Sequence, residues 1–340
     1  MLIKNHEVPL ALLKLASIKR RLPSTHPKYQ KIFNDWALYN AGYRGELALD
    51  YYLHRFNQPE NYMLHSLRLH HKQTFQIDTL ILHPNFFLLI EVKNLSGKVN
   101  FDHGFGLMTR ENNGHVQSFQ DPIIQAENQA FLLQNWLINF GVSGVPVESL
   151  VVFVNNHVHL TRSDEQHVDP RIIHANKLAD TYNQLHQKYP KNLLPTQKLR
   201  VIGQKMIQEN KPLQANPFQK YQLTRKAIQP GIICPICDFT PMKRYHGYWK
   251  CDSCGHSSTF AHIDALKDFY LLFNDQITNR EARWFFQIDS RKVARNLLIK
   301  LSMVGKNKGA SYQLDFNTER DFTYLLSTKE KDQAGYSLVQ

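Results

Sequence analysis

The chain has 340 residues, 42% of them apolar and 21% charged, with a formal net charge of +12 and a pI near 9.4. At about 150 residues per domain that length suggests two or three domains, and the apolar content excludes a disordered tail. No apolar run approaches the roughly 18 residues of a membrane span, and the basic balance points to a polyanionic partner, nucleic acid or an anionic membrane surface.

The opening MLIKNHEVPLALLKLASIKRR lacks a cleavable secretory pattern, because Glu7, Lys14 and Lys19-Arg20-Arg21 interrupt or follow its short apolar run. A soluble, cytoplasmic protein is expected. Leu10, Leu13, Leu15 and Ile18 recur at near-helical spacing. They suit a packed amphipathic helix better than a membrane-surface one, because the apolar face is short. Pro23 and Pro27 mark a connection, and a second helix is expected over Tyr29–Tyr39, followed by a turn at Gly42. Gly45 and Glu46 then open a third helix to about Arg55, with Leu47, Leu49, Tyr52, Leu53 and Phe56 available for its buried side. Glu46 in a first turn is favoured by the helix dipole.

Tyr62–Leu69 reads as a strand, and Phe75–Gly97, FQIDTLILHPNFFLLIEVKNLSG, as two further apolar strands joined at Pro84-Asn85. The run Phe86–Ile90 is apolar throughout, as in a strand buried on both faces. Glu91 and Lys93 end it two residues apart, on the same side of the strand, with Val92 on the other. An ion pair at a strand end explains that pair and contributes little. A hairpin that brings Asp78 beside Glu91 needs more, since two close carboxylates repel unless a cation stands between them. Oxygen ligands suit Mg²⁺ or Mn²⁺, and Lys93 would orient the attacking water or neutralise the transition state. The residues alone leave both readings open.

Short strands follow at Lys98–Phe101, Phe105–Arg110 and His115–Phe119, with Asn112-Asn113-Gly114 as a hairpin turn. Asp121 caps a long helix to about Phe140, with Pro122 at its first position and Gln125 and Gln129 on one face. Val147–Val154 is a further buried strand that closes a mixed α/β layer.

Ala41-Gly42-Tyr43-Arg44-Gly45-Glu46, Gln76-Ile77-Asp78, Glu91-Val92-Lys93-Asn94 with Gly97, and Asp121-Pro122 with Gln125 form an ordered set of motifs. Together they resemble the nuclease-related domain (NERD) branch of the PD-(D/E)XK restriction-endonuclease-like phosphodiesterases, over roughly residues 1–155. The resemblance implies an α/β fold, a mixed sheet flanked by helices. It implies a pocket in which Asp78, Glu91 and Val92 hold Mg²⁺ or Mn²⁺, Lys93 assists catalysis, and Glu46 and Gln125 complete the site.

Residues 156–230 are expected to form a helical extension, Ala175–Lys188 and Pro195–Asn210, and a linker. The chain's four cysteines fall in two CxxC pairs, Cys234/Cys237 and Cys251/Cys254, with thirteen residues between the pairs. Four thiolates complete a tetrahedral Zn²⁺ shell, whereas disulfides do not suit a reducing cytoplasm and a redox role does not suit two pairs together. The segment resembles the zinc ribbons appended to bacterial type I topoisomerases. Between the pairs, Lys243, Arg244, Trp249 and Lys250 could contact nucleic acid, or the aromatics could be the ribbon's miniature core.

Residues 261–328 read as a helix-turn-helix-like unit: a helix Ala261–Phe273, a Thr278/Glu281 cap, a turn at Gln287–Asp289 and a second helix capped by Ser290. Ser290, Arg291, Lys292 and Arg295 would face a groove, with Lys306 and Lys308 in a basic wing; an ordinary helical hairpin is the alternative. The expected function is a Mg²⁺-dependent nuclease acting on DNA. A non-catalytic nucleic-acid-binding protein on the same fold is the alternative.

Overall fold

The computed structural model describes residues 1–56, 59–162, 169–305 and 309–326. Lys306 and Lys308 of the expected basic wing lie outside the described residues. Among the described residues the chain divides into two compact units, residues 1–7 with 40–213 and residues 8–39 with 214–326. Among the described residues no helix is long and apolar enough to cross a membrane.

The first unit is built on a six-stranded mixed sheet in the order β1 (Leu2–Lys4), β2 (Tyr62–His71), β3 (Gln73–Leu82), β4 (Phe87–Lys93), β8 (Val147–Phe153), β10 (Ile172–His174). The β2–β3 and β3–β4 pairs are antiparallel, while β1–β2, β4–β8 and β8–β10 are parallel. As its unbroken apolar run predicts, β4 is central and buried from Phe87 to Glu91. One face packs Leu89 and Phe87 against α3 (Pro122–Asn139) and α5 (Thr196–Glu209). The other packs Leu88 and Ile90 against Leu49 and Leu53 of α2 (Tyr29–Leu53) and Leu178, Tyr182 and Leu185 of α4 (Leu178–Lys188). A second sheet, in the order β7 (His115–Gln120), β6 (Leu107–Asn112), β5 (Gly97–Asp102), β9 (Val158–Arg162), adds Val99, Phe101 and Met108 to the first core.

Residues 156–213 are therefore not the separate extension expected. β9 runs parallel to β5, β10 extends the large sheet beyond β8, and the Lys211 amide donates to the Arg68 carbonyl. The expected break at Gly42 is also absent, since α2 runs without interruption from Tyr29 to Leu53. A helix-interior glycine costs only about 1 kcal/mol relative to alanine, which packing readily offsets.

In the second unit α1 (Leu10–Arg21) joins the C-terminal helices, so the N-terminal helix belongs with segments more than two hundred residues away. The link is a buried pair: Arg21 Nε donates to Asp268 Oδ2 at 2.6 Å, and Asp268 also accepts from Ser17 (3.1 Å) and Tyr324 (2.8 Å). The ribbon is not independent either, because Trp249 is fully buried and its ring neighbours are His262 and Phe286. Removing one partner of a buried pair strands the other charge. Arg21→Met should therefore lower the unfolding free energy by about 3–5 kcal/mol, and adding Asp268→Leu should recover most of it. Urea denaturation measures both. A loss below about 1 kcal/mol in the single variant would contradict this role.

Candidate active site

β3 and β4 pair with Thr79 opposite Ile90, so the next step outward sets Asp78 across from Glu91. There the backbone ladder gives way to a side-chain contact: the Val92 amide donates to Asp78 Oδ2 at 2.9 Å. Alternation along β4 turns Glu91 and Lys93 toward the face covered by α3. The Asp121 side chain accepts from the Ile123 amide and Pro122 starts α3, which fixes where the helix begins and hence which of its residues reach the strand.

Glu91 is buried, and three donors surround it. Oε1 accepts from Lys93 Nζ (2.8 Å) and Gln125 Nε2 (2.8 Å), and Oε2 accepts from Gln129 Nε2 (3.0 Å). Lys93 also donates to Gln125 Oε1 at 3.1 Å, closing a ring of three side chains. A carboxylate offers about four lone-pair positions, so this shell leaves Glu91 one for a further ligand. The Glu91–Lys93 ion pair that the sequence suggested is present. Sequence reasoning gave Gln129 no role. Its only signal was its place one turn beyond Gln125, and only the packing of α3 over β4 singles it out.

Burial, then the charges of Glu91 and Glu46, push the Asp78 carboxyl well above the ordinary carboxylate range, against the opposing pull of the Val92 amide and Lys93. The folded chain thus holds this proton more tightly than the unfolded chain, and stability falls as pH rises above the usual aspartate value. Asp78→Asn should raise the melting temperature in EDTA at about pH 8, with the gain shrinking toward about pH 4. Melting curves across that range check it, and an unchanged or lower value at the alkaline end would contradict it. The same conflict makes the site receptive to a cation, and Mg²⁺ or Mn²⁺ fits an all-oxygen donor set.

Glu46 lies well inside α2 rather than in a first turn, so the helix-dipole account of it fails. Its Oε2 accepts from Ser66 Oγ at 3.0 Å and lies 3.6 Å from His6 Nδ1. Ser66 has φ +48°, a left-handed conformation that costs a non-glycine residue of order 1–3 kcal/mol. Gly45 explains why the first and third motifs occur together. A Cβ there would sit 2.6 Å from Asn94 Cβ, and Asn94 Nδ2 donates to the Ala41 carbonyl at 2.9 Å, so helix and strand meet at closest approach beside Glu46 and Lys93. Gly97 has φ +90°, and a Cβ there would lie 2.4 Å from the Glu111 carbonyl oxygen.

The four cysteines are free thiols in two knuckles that repeat one backbone pattern. Cys234 N donates to Phe239 O and Asp238 N to Cys234 O; Cys251 N donates to His256 O and Gly255 N to Cys251 O. Sγ–Sγ separations of 3.7 Å (Cys234–Cys254) and 3.5 Å (Cys237–Cys251) are close to the ~3.8 Å that four bonds of about 2.3 Å in a tetrahedron require. The Phe239 amide pulls the Cys237 thiol down to about 6. The group could hold zinc, and its two strand pairs, β11 (Lys243–Arg244) with β12 (Trp249–Lys250) and β12 with β13 (Ser257–Ser258), form a small ribbon.

Of the residues expected to touch nucleic acid, Trp249 is corrected: its indole is fully buried and cannot stack on a base. Arg244 lies over that ring, 5.1 Å from its centroid, and supports the ribbon's core. Lys243 and Lys250 are exposed, Lys243 in an ion pair with Asp252 at 2.7 Å. Tyr248 is not part of the ribbon's core as one reading of the aromatics had it: it is exposed and stacks on the exposed Tyr245.

Farther along, α7 (Ala261–Leu272), α8 (Asn279–Phe286) and α9 (Arg291–Leu298) carry a small sheet in the order β14 (Gln276–Thr278), β16 (Ser311–Gln313), β15 (Met303–Val304). The Thr278/Glu281 capping box forms, and Ser290 caps α9. Ala294 and Leu298 are buried, which leaves Ser290, Arg291, Lys292 and Arg295 exposed together.

Residues 41–154 match the family model of the nuclease-related domain, a span that includes Glu46, Asp78, Glu91, Lys93 and Gln125 and ends before the cysteines. Searches of the curated proteins and of the solved structures return no match.

Proposed function

We propose that this chain, which carries a nuclease-related domain over residues 41–154, is a Mg²⁺-dependent nuclease that hydrolyses phosphodiester bonds of DNA. The observation that carries the reading is the Lys93 ammonium, held 2.8 Å from Glu91 and 3.1 Å from Gln125, beside an aspartate whose carboxyl is destabilised as an anion. Asp78, Glu91 and the Val92 main chain are the groups that would hold the ion. Bound there, Mg²⁺ supplies Lewis-acid stabilisation of the charge that develops on the phosphodiester. Lys93 orients the attacking water and offsets negative charge, while Gln125 and Gln129 hold the Glu91 carboxylate in place through their amide donors. Glu46 borders the pocket from α2. Structural Zn²⁺ in the cysteine ribbon is part of the same proposal, and the exposed Ser290–Arg295 face of α9 with Lys243 and Lys250 is the proposed DNA contact.

The test is incubation of the full chain with linear, nicked and single-stranded DNA in Mg²⁺ or in EDTA, with Asp78→Asn as the control. Cleavage that needs Mg²⁺ and disappears in the control is the expected result. Retained DNA binding with no cleavage beyond the control would favour a binding protein in which Glu91 and Lys93 serve only as an internal ion pair.

A further inference from the structure

Beside the proposed nuclease pocket, but separate from its oxygen donors, lies a second cluster. His6 follows β1, Asp50 lies on α2 and His65 on β2, and one ligand atom of each comes within 4.8 Å of the other two. Asp78, Glu91 and Glu46 do not gather that closely as a trio.

The two imidazoles stack, with centroids 3.9 Å apart and planes 17° from parallel, and both turn Nε2 toward the same oxygen. His6 Nε2 is 2.9 Å and His65 Nε2 3.9 Å from Asp50 Oδ1. A hydrogen bond serves the first nitrogen and leaves the second too far away. A single ion bonded at about 2.0–2.2 Å to each ligand atom would place them about 3–4 Å apart, and using both nitrogens requires the stacked rings to turn until their in-plane lone pairs converge.

The surroundings are those of a metal site. His65 Nδ1 lies 3.0 Å from Thr79 Oγ1, the outer-shell support that orients a metal-bound imidazole. His6 Nδ1 is buried with no hydrogen-bond partner, 3.6 Å from Glu46 Oε2. The side chains of His6 and His65 are 7% and 3% exposed, while that of Asp50 is 48% exposed. Two sheltered nitrogens and one open oxygen leave a coordination position toward solvent. The nearby Lys4 ammonium is already occupied, by Glu7 at 2.8 Å and the His65 carbonyl at 2.9 Å.

We propose that His6, Asp50 and His65 bind a nitrogen-preferring divalent ion of the Zn²⁺ type, distinct from both the cysteine site and the all-oxygen pocket. Imidazole donors select zinc-like ions over Mg²⁺, so the two sites on this unit sort ions by chemistry.

The test is metal content of the full chain after equilibration with Zn²⁺ in buffer holding millimolar Mg²⁺, which keeps the oxygen pocket in the hard ion. Two equivalents of zinc are expected. Asp50→Asn and His65→Gln should each fall to one, Cys251→Ser should fall to one, and Asp50→Asn combined with Cys251→Ser to none. Asp50 is largely exposed, so its variant decides the matter if the buried histidine variant fails to fold. Asp50→Asn with the same zinc content as the unaltered chain, or Asp50→Asn combined with Cys251→Ser holding as much zinc as Cys251→Ser alone, would overturn the proposal. Loss of DNA cleavage alone would bear on the nuclease reading and not on this site.

Discussion

Lys93→Ala should lower Mg²⁺-dependent cleavage by about 10²–10³, the usual cost of removing one preorganised charge from a transition state, while DNA affinity changes little. Lys93 ends a buried central strand, its ammonium bonds Glu91 at 2.8 Å and Gln125 at 3.1 Å, and it is only 21% exposed. Truncation leaves Glu91 with the two glutamine donors, so the acid stays hydrogen-bonded and the fold persists. The loss should therefore appear in kcat with KM nearly unchanged. A full-length alanine variant that cuts at the unaltered rate would assign Lys93 to stability alone.

Cys251→Ser should have a comparably large effect on the second unit. A structural zinc contributes on the order of 10–16 kcal/mol to the folding of a small zinc domain, and Cys251 is the buried member of its pair. The knuckles anchor a ribbon whose Trp249 is buried between Arg244, His262 and Phe286. Loss of the ion should open that core, shift tryptophan fluorescence to longer wavelength, and lower the salt dependence of DNA binding if α9 is carried with it. Chelation of the unaltered chain should reproduce the change, and added Zn²⁺ should reverse it. Zinc content and fluorescence unaltered by the substitution would show that the thiols hold no structural ion. A point substitution is preferable to truncation near residue 225, because α1 packs with the segments that truncation would remove.

Local chemistry made part of this structure readable in advance. Asp78, Glu91 and Lys93 lie on neighbouring antiparallel strands, so the two-residue period of a strand and one tight connection suffice to bring them together. The Asn113-Gly114 turn, the Asp121-Pro122 start of α3, the Thr278/Glu281 capping box and the two cysteine knuckles are likewise settled within a few residues of sequence. What escaped depends on distant partners. Gln129 matters only because α3 crosses β4, and Arg21 because Asp268, 247 residues later, is buried beside it. For Trp249 the sequence left base contact and a place in the ribbon's core both open, and the core reading holds because helices that begin more than ten residues on help bury it. Gly42 and Gly45 looked like a helix boundary by propensity, yet α2 runs through both, and Gly45 makes room for Asn94. His6 and His65, 59 positions apart, meet only because β1 pairs in parallel with β2.

The central claim is that Asp78 and Glu91 share one divalent ion. Crystals of the full chain soaked in Mn²⁺ should show an anomalous peak touching both carboxylates, absent from crystals of Asp78→Asn. Density that left Glu91 bonded only to Lys93, Gln125 and Gln129, with no peak beside Asp78, would contradict the account.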